Sequence, residues 1–182
     1  MKNNLETLRH STAHLLAAAV KEIYPGTILG IGPVIENGFY YDFKFAQDFS
    51  ANDFAKIEAK MAELKNEKLS FERLEKNVDT AITFVEKLGE PLKLELIKDF
   101  KKNGEKTVSF YQTGDFVDLC TGPHVTNSGE IKKFKLLSTA AAYWKGSEKN
   151  DSLTRIYGTA WETKEELEHY LKLIEEAKEN DH

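Results

Sequence analysis

The segment Ala13–Val20 reads AHLLAAAV and is aliphatic at every position except His14. It lies inside a run of good helix formers, Asn4–Ile23, that Pro25-Gly26 brings to a stop. Seven aliphatic residues in eight positions cover nearly the full circumference of a helix, and a helix apolar on nearly all sides is packed on nearly all sides. The chain must therefore wrap its other elements around its own N-terminal helix. Its 182 residues are enough for this, since a domain near that size buries roughly 70% of the surface its unfolded chain exposes. The apolar run is too short to span a bilayer, and MKNNLETLRHSTAH is too polar for a signal peptide. No membrane partner is expected. Cys120 is the single cysteine, which excludes a disulfide framework and points to a reducing, cytoplasmic setting.

What surrounds the helix is read from turn signals and periodicity. TILGIGPVIENGFYYDFKF predicts two strands meeting at Asn37-Gly38. Asp53 to Glu67 reads as an amphipathic helix, LSFERL as a strand, and Asp79 to Leu88 as a helix ending at Gly89. Glu90 to Asp99 is ambiguous between strand and helix. Short strands are expected at Thr107–Tyr111 and Asp115–Leu119, about a turn at Thr113-Gly114, and again between Phe134 and Trp161. An acidic helix from Thr163 to about Glu179 closes the chain. The expected fold is α+β: a mostly antiparallel sheet packed around a central N-terminal helix, with a small helix–strand–helix subdomain. Residues 1–182 read as a single domain, with the subdomain inserted at about 47–90.

The chemistry concentrates in two pairs. His10 and His14 form H-x-x-x-H, one helical turn apart and so on one face. Cys120 and His124 form C-x-x-x-H in DLCTGPHV, where Gly122-Pro123 can bend the backbone back on itself. Facing each other, the pairs make an N₃S quartet, a ligand set suited to zinc. A second reading of the same residues is Cys120 as nucleophile with a histidine base. The bland reading is a hydrogen-bonded core histidine and a buried thiol.

The blocks RHSTAHLLAAAVKEIYPGTILGIGPVIENGFYYDF, DLCTGPHV and AAYWKGSEKNDSLTRIYGTAW resemble the editing domain of threonyl-tRNA synthetases, within the threonyl/alanyl second additional domain family. Alanyl-type relatives share the two histidine and cysteine frames but surround the cysteine with CGGTH. The resemblance implies an aminoacyl-tRNA deacylase, a carboxylic ester hydrolase that removes serine mistakenly attached to tRNA(Thr), as part of a threonine-tRNA ligase. It assigns His10, His14, Cys120 and His124 to the editing pocket, Asp118 to the seryl ammonium, and Lys93 to the water or the oxyanion. It further implies catalysis without a required cofactor, with zinc on the quartet as an alternative. The implied partners are the 3′ end of tRNA(Thr) carrying serine and the catalytic and anticodon-binding domains of a synthetase. Thr121 departs from the family pattern, which has arginine between cysteine and glycine. At this length there is no room for a synthetase catalytic domain, so an excised or free-standing editing domain is expected.

A net charge of −5 argues against strong general affinity for nucleic acid. The average hides an asymmetry. Ile131–Arg155 carries Lys132, Lys133, Lys135, Lys145, Lys149 and Arg155 against Glu148 and Asp151, with Tyr143 and Trp144 among them. Basic side chains interleaved with aromatics suit a single-stranded RNA end. Glu162–His182, with eight acids against three lysines, reads as an outer helix. The competing functions are an alanyl-type zinc-dependent trans-editing deacylase, a zinc-stabilised structural module, and a tRNA-binding module without chemistry.

Overall fold

The computed structural model describes residues 4–180. Helix α1 spans Asn4–Ile23, and every residue from Ser11 to Val20 is buried. Strands β1 (Ile28–Leu29), β2 (Val34–Ile35) and β3 (Gly38–Lys44) follow it. Val34 faces Phe39 and Ile35 faces Gly38, so the hairpin turn falls on Glu36-Asn37, one residue earlier than the sequence suggests. Asn37 adopts φ 63°, a left-handed conformation that asparagine tolerates better than most side chains.

Strands β7 (Lys133–Tyr143) and β8 (Ser152–Trp161) complete a five-stranded antiparallel sheet in the order β1-β3-β8-β7, with β2 also on β3. The several short strands expected between Phe134 and Trp161 are thus two long ones, with a register shift between Leu136 and Ser138. The inner face of β3, carrying Phe39, Tyr41 and Phe43, joins Leu15, Leu16 and Ile156 in the main core. Helix α2 (Phe54–Asn66) closes the other side of α1 with the fully buried Ile57 and Met61.

A second, three-stranded sheet runs β4 (Glu72–Asn77), β5 (Thr107–Thr113), β6 (Phe116–Leu119). Helix α3 (Val78–Leu88) ends at Gly89 in the left-handed region, φ 72°. The ambiguous stretch after it is helix α4 (Pro91–Lys102), with proline at the first position where no backbone donor is missed. The two helices of the expected helix–strand–helix segment occur where the sequence puts them, while its strand, β4, begins three residues after the start of LSFERL and pairs with β5 from outside that segment.

Helix α4 does two jobs. Ile97 packs with Val78, Ala81, Val85 and Phe110 against the small sheet. Leu92 packs with Trp144 and Leu153 against the large one. It therefore bridges both sheets, and its first turn aims Lys93 between them. Helix α5 (Lys164–Glu179) lies outside, capped by a reciprocal Thr163–Glu166 pair, with no buried residue. Among the described residues, no helix is long and apolar enough to cross a membrane.

Candidate active site

Burial of α1 forces His10 and His14 inward, and the β5–β6 hairpin delivers the cysteine motif opposite them. The Cys120 N–H donates to the Ser109 carbonyl at 3.0 Å, and the Ser109 hydroxyl donates to the Cys120 carbonyl at 2.7 Å. Gly122 then turns the chain with φ 75°, and its Gly122–Pro123 peptide is cis. A Cβ on Gly122 would stand 2.4 Å from the Tyr111 hydroxyl, so only glycine fits this turn without displacing the ring.

The turn brings Cys120 Sγ to 3.2 Å from His124 Nε2 and 3.3 Å from His10 Nε2. The His10 and His124 rings lie 4.4 Å apart, and the His14 and His124 rings 5.2 Å apart. His14 is set back from this group. Its Nε2 is 3.0 Å from the Thr113 hydroxyl, and its ring rests against Phe71 and Phe116. Of the expected quartet, His10, Cys120 and His124 offer donor atoms within 4.8 Å of one another, and His14 stands outside the cluster. Three converging donors fit zinc with an open position and do not make the closed four-ligand cage.

Burial sets the charge state of this half. Desolvation lowers His14 to about 4 and His124 to about 2, with neighbouring histidines adding to the effect in both. Desolvation also raises the Cys120 thiol to about 11, partly offset by the Gly122 N–H that donates to its sulfur. At neutral pH His14 and His124 are neutral and the Cys120 thiol is protonated. A buried thiol of this kind is a poor nucleophile.

The other half of the pocket is built on an ion pair. Lys93 Nζ lies 3.1 Å from Asp118 Oδ1, and both side chains are almost fully buried. The Tyr41 hydroxyl donates to Asp118 Oδ2 at 2.5 Å. Burial, with the Asp118 carboxylate beside it, holds the Tyr41 hydroxyl well above its usual range, so it remains a donor. Lys93 approaches Oδ1 as an ion pair off the hydrogen-bond direction, and that oxygen has no hydrogen-bond donor.

The two halves face one cavity of about 520 Å³, lined by His10, His14, Cys120, His124, Lys93, Asp118 and Tyr41. All six residues singled out in the sequence therefore share a single pocket. Tyr41 was not among them, although the alternation of GFYYDFK turns it toward the core with Phe39 and Phe43. Ser11 and Thr113, which hold His124 and His14, carry no signal beyond being small and polar beside the motifs. Thr121, at the position where the family pattern has arginine, is exposed at the pocket wall.

Three of the six cations of the basic stretch are paired with acids within the fold. Trp144 is buried and donates to Glu95. Lys145 pairs with Glu95 and Asp99, Lys135 with Glu58, and Arg155 grips Asp42 through two nitrogens. Of the two aromatic rings in the expected basic and aromatic row, Tyr143 is exposed and Trp144 belongs to the core.

Comparison with known proteins accounts for this architecture. Residues 108–157 match the family described as "Threonyl and Alanyl tRNA synthetase second additional domain". The full chain is 52% identical over 182 residues to a threonine--tRNA ligase of Anoxybacillus flavithermus, covering 28% of that protein. It is 50% identical over 177 residues, 97% of the chain, to the same-named protein of Acetivibrio thermocellus, and 49% identical over 181 residues to that of Marinobacter nauticus, again 28% of each. The chain thus spans little more than a quarter of the length of these curated relatives. Residues 108–157 thus carry the likeness to the threonyl and alanyl tRNA synthetase second additional domain, and along its whole length the chain is similar to one segment of the threonine--tRNA ligases.

Proposed function

We propose that this chain hydrolyses serine from mischarged tRNA(Thr), acting as the editing domain of a threonine-tRNA ligase in the cytoplasm. The carrying observation is the pairing of a neutral histidine–thiol half with a buried Lys93–Asp118 pair across one cavity. Ester hydrolysis needs water held at a carbonyl, a base, and a donor for the oxyanion. Asp118 Oδ1, without a hydrogen-bond donor, would receive the seryl ammonium. Lys93 would donate to the carbonyl oxygen as it gains charge. Water oxygen would bond to the carbonyl carbon while a neutral histidine takes its proton. When the ester C–O bond breaks, that proton would pass to the departing ribose oxygen. His10 suits the base better than His14, being half-exposed while His14 is buried with its Nε2 against Thr113; water would displace the Cys120 thiol from His10 Nε2.

Editing is physically warranted. A synthetic site shaped for threonine discriminates against serine, smaller by a methyl, by only about 1–3 kcal/mol. A second, smaller site can refuse the larger substrate. No metal is required in this reading. Zinc, when bound, would be held by His10, Cys120 and His124 and would supply a Lewis acid. The remaining three-quarters of a ligase, including its catalytic and anticodon-binding domains, would be the physical partner.

The test offers seryl-, threonyl- and alanyl-tRNA to the protein, with and without a chelator, and follows ester loss. Selective acceleration on the seryl ester, unchanged by chelation and lost in His10→Ala, is the expected result. Equal action on all three esters, or none, overturns the reading. Chelator-sensitive action on the alanyl ester would establish the alanyl-type alternative, and unfolding on chelation without activity the structural one. Tight tRNA binding that survives Cys120→Ala without hydrolysis would favour the binding module.

A further inference from the structure

Ser11 sits between the two signature histidines in sequence, and its side chain is fully buried. A serine inside a helix usually turns its hydroxyl to the carbonyl one turn back. The neighbouring Thr12 does so, donating to the Leu8 carbonyl at 2.7 Å. Ser11 instead reaches across the domain. Its Oγ accepts from the Val125 N–H at 2.9 Å and lies 3.0 Å from His124 Nδ1. One hydroxyl thus ties α1 to the segment that carries the cysteine motif, at two consecutive residues.

The contacts accommodate one continuous set of proton positions. With the Val125 N–H occupying one side of Oγ, the serine proton is available for His124 Nδ1. A neutral imidazole that accepts at Nδ1 carries its own proton on Nε2. That Nε2 faces Cys120 Sγ at 3.2 Å, where Gly122 N–H also donates. The sulfur, accepting from both, turns its single proton toward His10 Nε2 at 3.3 Å. The chain of donors then runs Ser11 to His124 to Cys120 to His10, each proton used once.

We infer that Ser11 is a positioning residue of the pocket, which fixes the Nε2–H tautomer of His124 and through it the direction of the Cys120 S–H bond toward His10. The inference rests on the deacylase reading only for its kinetic consequence, since the tautomer is a property of the free protein. A histidine free to exchange tautomers would turn a donor at the sulfur into an acceptor and release the thiol proton from His10. Partners that orient an active histidine through its far nitrogen commonly contribute about 10- to 100-fold to activity.

The experiment is nitrogen NMR of imidazole-labelled protein. In the unmodified chain, His124 should show a pyridine-type Nδ1 and a pyrrole-type Nε2. In Ser11→Ala the two signals should shift toward a mixture, with restoration in Ser11→Thr. Where seryl-tRNA is hydrolysed, Ser11→Ala should lower kcat by about 10- to 100-fold with KM little changed. A proton on Nδ1 in the unmodified protein overturns the inference with no variant needed. So does an unchanged tautomer in a folded Ser11→Ala. If the protein shows no deacylation but the tautomer follows Ser11, the deacylase reading fails and the positioning role stands.

Discussion

The two halves of the pocket are buried together and reach opposite electrostatic outcomes. On the α1 side, desolvation removes charge: His14 and His124 are pushed far below neutrality and the Cys120 thiol is pushed up. On the α4 side, Lys93 and Asp118 stay as an ion pair, completed by the Tyr41 hydroxyl. The difference lies in partners. An ionised group survives burial when an opposite charge and directed donors meet it, and otherwise neutralises. The imidazoles face hydroxyls, aromatic rings and a sulfur, and the pull of Asp118 on His14 is outweighed by desolvation. A site built this way holds fixed charges to grip a substrate beside neutral groups free to move a proton.

The contrast can be broken at its strongest point first. Lys93→Ala leaves Asp118 charged and buried without its cation, which should cost about 3–5 kcal/mol of stability. Urea unfolding of Lys93→Ala against a Lys93→Met, Asp118→Leu double variant measures this, and the double variant should recover most of the loss. Equal destabilisation in both would show that the pair is not coupled.

Acid should expose the neutral half next. Below pH 6.5 the unfolded chain protonates His14 and His124, while the folded protein resists until about 4 and about 2. The unfolded state binds more protons, so stability falls as pH falls. The slope should reach about 1.4 kcal/mol per pH unit for each histidine. Both contribute down to about pH 4, and His124 alone below it. His14→Gln should halve the slope between pH 6 and 5 in denaturant titrations. A flat profile there would mean that the histidines are not held neutral.

Tyr41→Phe probes the charged half more gently. It removes one donor from a carboxylate, worth about 1.5–3 kcal/mol, and should leave the acid slope of the neutral half unchanged. The smallest effect is on reactivity alone. With its thiol raised to about 11, Cys120 should alkylate with iodoacetamide at pH 8 more slowly than free cysteine. Faster alkylation would assign it the thiolate character that burial denies.

Much of this was legible in the sequence, for identifiable reasons. The all-round apolar stretch of α1 fixes its central place, and its bounds, Asn4–Ile23, are those expected. The spacing of His10 with His14, and of Cys120 with His124, states that each pair is local. It does not state that the pairs meet, which depends on β5 and β6 pairing across a turn. Helix α4 was ambiguous because PLKLELIKDF carries apolar residues at both strand and helix periods. Its packing between two sheets decides the matter. The cationic stretch was legible only in part for a related reason: the acids that pair with three of its six cations, Glu58, Glu95, Asp99 and Asp42, come from distant elements. Tyr41 needed the strand register, and Ser11 needed a partner 113 residues away.

Placing two pocket histidines on the most enclosed helix of the molecule has a consequence for motion. The residues flanking them, Leu8, Ala13, Leu15 and Leu16, are themselves interior, so α1 has no loose side along which it can breathe. Its amides should exchange with solvent only through opening of the whole domain, on the slowest class of protected sites. The pocket and the fold then share one cooperative transition: warming the protein should lose both at the same temperature, with no softened but still folded state in which the pocket alone has come apart.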